Sequence, residues 1–285
     1  MNVSASQARF NEETRERWEH YRSHREKLDN LLAAIAGQWF GRLGSLAILG
    51  AGNGNDLELA RLANRFEKIH LFDFDSQALE RLTKRHLHDP KVRQAVVLER
   101  PVDLSGIADD LNGIDKDSIT EAAVLELAER ARDPQMVLRE RSFDVVISGC
   151  MLTQLLAGVL ESFGDDSSHK DYMMLALRDG HLKLMSRLVK PGGHGLLVSD
   201  FVSSDTLPEL KDADTDEAVV ALARKAIEQR NFFTGTNPWA IKDSLANMIV
   251  EDANATWTIS PPWRWQIGDS RFYLVTALQF TKPKA

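Results

Sequence analysis

The stretch LAILGAGNGNDLELA, residues 46–60, constrains this chain more than any other. A short apolar run with the look of a buried strand ends in Gly50, Gly52 and Gly54, and a helical pattern begins at once. Glycines in that setting permit a tight turn and let a ligand approach main-chain N–H groups at the positive end of a helix. The spacing is GxGxG. A dinucleotide fingerprint would need its third glycine one residue later, where Asn55 stands.

The surrounding sequence predicts the rest of the sheet. Strand-like runs SLAIL, KIHLF, AVVLERPV and FDVVIS end near Leu49, Asp73, Asp103 and Gly149, and helical stretches such as LELARLANRF and SQALERLTKRHL separate them. A long helix over 171–188 leads through Pro191, Gly192 and Gly193 into GLLVSDF, and another helix spans 216–229. This alternation predicts βαβ units and a parallel sheet covered on both faces. The chain closes with ATWTISPPWRW and SRFYLVTALQF joined by QIGD, which reads as an antiparallel hairpin at the sheet edge. At the other end, Trp18, Tyr21, Leu28, Leu31, Leu32 and Ile35 recur at helical spacing between Asn11 and Ala36. They predict an amphipathic helix broken once and ending at Gly37. The organisation expected is an N-terminal helical cap (1–40) on an α/β domain (41–285), with a helical insertion near 104–142 read as a surface elaboration.

Charge and cysteine content narrow the function classes. With 42 acidic and 35 basic side chains the net charge is −7, so the basic surplus of a dedicated nucleic-acid binder is missing and no nucleic-acid partner is expected. The one cysteine, Cys150, allows neither an internal disulfide nor a multi-cysteine zinc site. No apolar stretch approaches the roughly 18 residues of a membrane span, and a soluble cytoplasmic protein is expected.

The strand ends carry the chemistry. Asp73 closes HLFD, where a carboxylate can accept both hydrogen bonds of a ribose diol, while Asp75 or Ser76 is the better helix N-cap. Asp103 and Leu104 suit an adenine, the carboxylate accepting from the exocyclic amine and the leucine packing on the ring. Ser148, Gly149 and Cys150 are small and leave room over the sheet. Other constellations carry less. His20 and His24 have zinc spacing but no further ligand, so no metal is expected. His86 and His88 read as the charged end of a helix, and Trp257, Trp263 and Trp265 read as sheet-face packing.

Taken in order, GAGNG, DFDSQAL, VDLSG, FDVVISGCML and LVKPGGHGLLVSD resemble the motifs of Rossmann-like S-adenosylmethionine-dependent methyltransferases, over roughly residues 45–281. The resemblance implies a mostly parallel seven-stranded sheet with helices on both faces and a closing antiparallel hairpin. It implies S-adenosylmethionine as donor, S-adenosylhomocysteine as product, and in-line transfer to a small-molecule acceptor, achieved mainly by positioning. Gly50, Ala51, Gly52 and Asn53 would lie at the donor's methionyl end, Asp73 on the ribose, Phe74 beside the adenine, Asp103 and Leu104 at its amine, and Ser148, Gly149 and Cys150 near the reacting centre. Where the family carries an acid two residues before its first glycine, this chain has Ile48, so Asn53, Asn55 or Asp56 would take over contacts to the methionine group.

Acceptor residues are expected from Met151, Thr153 and Gln154, from Ser199, Asp200 and Phe201, and from an N-terminal lid bearing Trp18, Tyr21 and Arg22. Tyr21, Gln154 and Asp200 are the leading candidates. A second candidate lid, NFFTGTNPWAIKD, offers Phe232, Phe233 and Trp239. Alternative readings are a methyltransferase acting on protein, a non-catalytic donor-binding protein, and an NAD(P)-dependent oxidoreductase.

Overall fold

The computed structural model describes residues 3–37, 41–99, 101–134, 142–165, 167–248, 256–268 and 270–284. Helices α1 (Val3–Thr14) and α2 (Arg22–Ala36) precede strand β1 (Leu43–Leu49). Then follow α3 (Leu59–Arg65), β2 (Phe66–Phe72), α4 (Ser76–His86), α5 (Pro90–Ala95), β3 (Val96–Leu98), α6 (Ala108–Asn112), α7 (Glu121–Arg132) and β4 (Phe143–Gly149). The second half runs α8 (Met151–Phe163), α9 (Lys170–Leu188), β5 (Val189–Ser203), a short 3₁₀ helix (Pro208–Asp212), α10 (Asp216–Glu228) and α11 (Pro238–Met248). Strands β6 (Thr256–Ile259), β7 (Trp263–Ile267) and β8 (Arg271–Thr281) complete the described chain.

The strands lie in the order β3-β2-β1-β4-β5-β8-β6, with β7 also paired to β8. All pairings as far as β5 are parallel, and those of β8 are antiparallel. Among the described residues the sheet has eight strands where the sequence predicts seven. The reason is Pro261 and Pro262, which cannot donate to a ladder and split the expected strand in two. β6 follows the later half of β8, with Ile259 opposite Leu278, and β7 the earlier half, with Trp263 opposite Val275.

Alternating side chains divide the core. Val145, Ile147, Leu196 and Val198 face α2, α3 and α4, whereas Leu49, Val146 and Leu197 face α7, α8 and α9. The N-terminal segment is helical over Val3–Thr14 and again from Arg22; the first helix begins well before Asn11, and the break leaves Trp18 and Tyr21, expected within the helix, between the two. Asp29 on α2 takes Arg61, at 3.0 Å, and Arg65, both on α3, fastening the cap to the domain.

Two expectations fail here. The segment after β3 is no surface elaboration: Val124, Leu127, Ala128 and Ala131 bury one face of α7 against α9. The approach is so close that a Cβ on Gly180 would stand 1.8 Å from the Ala131 carbonyl oxygen. Nor do Pro191, Gly192 and Gly193 form a turn before the fifth strand. They lie within β5 as an irregularity that shifts its register on β4, with the Gly192 N–H bonded to the Lys282 carbonyl.

β1 lies between β2 and β4, so the connection leaving β1 and the later one from β4 run to opposite sides. Their carboxyl ends open the crevice in which sheets of this type bind ligands.

Candidate active site

The glycine loop at the end of β1 is pinned to β2. The N–H groups of Gly50 and Ala51 both donate to the Phe72 carbonyl, at 2.9 and 3.0 Å. Gly50 and Gly52 hold φ of +75° and +48°, the left-handed region that side chains oppose. The turn brings the Gly52 N–H to Asp73 Oδ2 at 2.8 Å, while the Asp75 N–H meets Asp73 Oδ1 at 2.8 Å. Burial pushes the Asp73 carboxyl up, against the pull of these N–H donors. The N-cap duty falls to Asp75, which accepts from Gln77 and Ala78 at the start of α4. Asp73 therefore stays at the crevice, as the ribose reading requires.

The asparagines of the loop are engaged elsewhere. Asn53 donates to the Asn11 carbonyl and accepts from Arg81 Nε at 2.7 Å, and Asn55 donates to the Thr14 carbonyl and accepts from Arg85. Their side chains bind the last turn of α1 rather than a methionine group, which corrects the expectation for both. Asp56 is the acid that remains. Ile48 is buried in the core between Leu71 and Ile147, so no carboxylate projects from β1 at that position. Asp56 supplies one from across the loop: a Cβ on Gly149 would lie 3.0 Å from Asp56 Oδ2, so the end of β4 is open to this carboxylate because residue 149 lacks a side chain. Withdrawal from water pushes Asp56 up to about 6, with Arg25 acting to lower it and Asp73 to raise it further.

Phe74, Asp103, Leu104, Met151 and Leu155 line a slot beyond Asp73, and Gln7 of α1 lies over it. The slot leaves about 10 Å³, room for about one water molecule. Asp103 accepts from the N–H and hydroxyl of Ser105 through Oδ1 and from the Ala108 N–H through Oδ2, which orients it while shaping the start of α6.

β4 ends at Cys150, held at φ +48° as it enters α8, a conformation that costs a non-glycine residue about 1 kcal/mol or more. The backbone N–H of Cys150 donates to Val198 at 2.8 Å. Burial pushes its thiol well up, aided by Asp200 and Asp56, so it is a neutral wall and not a nucleophile. Ser148 departs from expectation. It is fully buried, and its hydroxyl meets His181 Nε2 at 2.8 Å under the sheet, away from the reacting centre.

Cys150 itself lines a pocket of about 480 Å³. It is bounded by Phe10 of α1, Thr153 and Gln154 of α8, Met174 of α9, Phe233, Trp265 of β7 and Tyr273 of β8. Asp200 of β5 is buried in its wall, with Thr153 Oγ1 donating to Oδ1 at 2.7 Å. Burial pushes Asp200 up to about 6, and the Thr153 bond, Arg271 and the Cys150 thiol oppose the rise. Tyr21 packs edge-on against Trp265, with ring centroids 5.1 Å apart. Burial raises its hydroxyl far above the usual range, and Asp56 and Cys150 act in the same sense.

Of the acceptor-side expectations, Thr153, Gln154, Asp200 and Phe233 line the chamber. Met151 lies instead beneath Gly50 at the slot. Ser199 and Phe201 are buried in the core, and Phe232 packs beside α10. Trp239 is 56% exposed. Trp18 stacks under Arg25, 3.5 Å from the ring centroid, and Arg22 pairs with Glu19 at the surface. Gln7, Phe10 and Tyr273 were not legible as site residues. Trp263 and Trp265 do pack against the sheet core, as expected, but Trp265 also faces the chamber.

His24 and His86 are packing groups. His24 stacks on Trp265 at 4.2 Å and accepts from Trp263 Nε1. His86 is not the charged helix end expected: burial, with Arg85 and His88 beside it, lowers it to about 4 and keeps it neutral. Among the described residues no cluster of potential metal ligands occurs, and no helix is long and apolar enough to cross a membrane.

No family model matches the chain, and no curated protein does. Solved structures do resemble it. The N-methyltransferase NodS from Bradyrhizobium japonicum WM9, in complex with S-adenosyl-L-homocysteine, is 13% identical with a TM-score of 0.45, and 100% of each chain is covered. A putative S-adenosyl-L-methionine-dependent methyltransferase from Methanococcus maripaludis is 12% identical with a TM-score of 0.45, covering 99% of this chain and 94% of that one. An rRNA methylase from Streptococcus thermophilus is 13% identical with a TM-score of 0.38, covering 89% and 95%. Likeness of this degree carries no argument about acceptor or mechanism. The chain's own strand order, parallel from β3 to β5 and closed by antiparallel β8, gives it a Rossmann-like, mostly parallel α/β fold.

Proposed function

We propose that this protein is an S-adenosylmethionine-dependent methyltransferase acting on a small-molecule acceptor. The observation that carries the reading is the placement of Asp73 beyond β2, Asp103 beyond β3 and Cys150 beyond β4, at the carboxyl ends of neighbouring parallel strands, with Cys150 also lining a pocket of about 480 Å³, a size suited to a small ligand. When bound, S-adenosylmethionine supplies a methyl on a positively charged sulfur, already activated for displacement. Asp73 would hold the ribose, Phe74 and Leu104 the adenine, and Asp56 the methionine ammonium. The glycine loop, tied to Asp73 and to Phe72, is organised before any ligand arrives, and such preorganisation is the main contribution required of the protein.

Helix α1 would act as the lid. It crosses the slot with Gln7, reaches the chamber with Phe10, and is fastened by Asn11 Nδ2 to Asp75 Oδ2 at 3.0 Å and by Ser6 to Glu161 at 2.5 Å.

Calorimetric titration with S-adenosylmethionine, S-adenosylhomocysteine and NADH tests the reading. Micromolar binding of both sulfur ligands with none of NADH is expected; binding of NADH alone, or of none of the three, would overturn it.

A further inference from the structure

The chamber's polar groups are few and their charges are nearly all paired. At its rim Asp165 faces Lys170 at 3.8 Å, and Arg271 bonds Asp205 at 2.6 Å while resting 5.3 Å from the centroid of the Tyr273 ring. Asp200 differs. It is buried, Thr153 and the Cys150 thiol are the neutral groups that bond it, and Arg271, engaged with Asp205, attracts it without forming an ion pair with it among the described residues. A buried carboxylate with no direct ion pair is costly, and an entering cation would relieve that cost.

The wall beside Asp200 is aromatic. Phe233 and Tyr273 have ring centroids 6.3 Å apart, Tyr273 and Trp265 6.0 Å, and Trp265 and Tyr21 5.1 Å, forming one continuous row. Aromatic faces attract a cation and pack an apolar body, and together with a carboxylate they select an ammonium over a neutral or anionic group.

We propose that the acceptor is an amine with an apolar or aromatic body, its protonated nitrogen drawn to Asp200, and that Asp200 takes the proton which must leave before methylation. The inference rests on the methyl-transfer reading above. The ammonium gives one proton to the Asp200 carboxylate, leaving a neutral amine and a carboxylic acid. The nitrogen lone pair then forms the N–C bond as the C–S bond of the donor breaks, its electron pair remaining on sulfur. The products are a methylated ammonium and a neutral thioether, and Asp200 releases its proton to water. Burial raises the proton affinity of Asp200 and so suits it to this transfer.

The test uses the full chain saturated with S-adenosylhomocysteine and titrated near pH 7 with benzylamine, 2-phenylethylamine and 3-phenylpropylamine, each against the corresponding alcohol. The expected result is amine binding about tenfold or more tighter than alcohol binding, with the preference lost in Asp200→Asn. In that variant S-adenosylhomocysteine affinity is expected to persist, which reports an intact fold. Should the variant not fold, the wild-type pH profile decides. Over the range in which the amines stay protonated, their affinity should fall as pH drops through about 6, where Asp200 gains its proton. The groups facing Asp200 are the Cys150 thiol, Thr153 of α8, and Tyr273 and Arg271 of β8; burial keeps the thiol and the phenol protonated in this range. Equal or tighter binding of the alcohols, no amine binding, or a flat pH profile would overturn the amine assignment and leave the donor reading intact. Failure of the wild-type protein to bind S-adenosylhomocysteine would instead overturn the donor reading.

Discussion

The Asp73 carboxylate accepts the Gly52 N–H at 2.8 Å, which links the end of β2 to the turn that ends β1. The same carboxylate accepts the Asp75 N–H, so one side chain sets both the glycine loop and the entry to α4. Asp73→Ala should weaken S-adenosylhomocysteine binding by about tenfold or more and lower stability by about 1–3 kcal/mol, because two backbone donors lose their acceptor. Calorimetric titration and urea unfolding check the two parts separately. Unchanged affinity would remove the ribose role.

Asp56 is assigned to the methionine ammonium, and a truncated ligand isolates that contact. Asp56→Asn should weaken S-adenosylhomocysteine by about tenfold while leaving 5′-methylthioadenosine, which lacks the amine and carboxylate, bound as before. Equal loss for both ligands would point to damage of the loop instead.

Protonation provides a further check. Asp56 and Asp200 both titrate near 6 in the folded chain, above the ordinary aspartate value. The stability they contribute is complete below about pH 4 and is lost as pH rises through about 6. Buried His24, His86 and His181, lowered to about 3, 4 and 4, act oppositely: their contribution is present above the ordinary histidine value and is lost as pH falls toward 4. The difference in unfolding free energy between wild type and Asp56→Asn/Asp200→Asn removes the histidine contribution. The variant's advantage should grow as pH rises from about 4 to about 7, and a flat difference curve would count against both raised values.

The contact between α7 and α9 should tolerate no methyl group. With the Ala131 carbonyl oxygen 1.8 Å from the position of a Gly180 Cβ, Gly180→Ala must force the helices apart. A loss of about 3 kcal/mol or more is expected in denaturant unfolding, against little change for Gly113→Ala, where φ is −90° and a Cβ meets only ordinary van der Waals neighbours.

Removal of α1 tests the lid. Without Gln7 over the slot and Asn11 on Asp75, S-adenosylhomocysteine should dissociate about tenfold faster in stopped flow, because the groups that retain it are gone together with the Asn11 and Thr14 anchors of Asn53 and Asn55 in the glycine loop. An unchanged off-rate would make α1 a structural cap alone.

What the sequence by itself determined is whatever depends on neighbours along the chain. The left-handed glycines at 50 and 52, the Asp75 cap on α4, the alternation of strands and helices and the break in the N-terminal helix all arise within a few residues, where spacing and propensity act directly. Asp73 was legible for the same reason, since its place at a strand end follows from the local pattern. Tertiary structure decided where polar groups of similar sequence context point. Asn53 and Asn55 turn to the α1 segment and Ser148 to His181, whereas Asp56 turns to Gly149, and no local rule separates these outcomes. The chamber is the clearest case. Phe10, Thr153, Asp200, Phe233, Trp265 and Tyr273 are scattered over most of the chain and meet only because α1 folds back over the sheet and β8 inserts antiparallel beside β5. Burial, which gives Asp200 its raised proton affinity, is a property of that assembly and belongs to no segment alone.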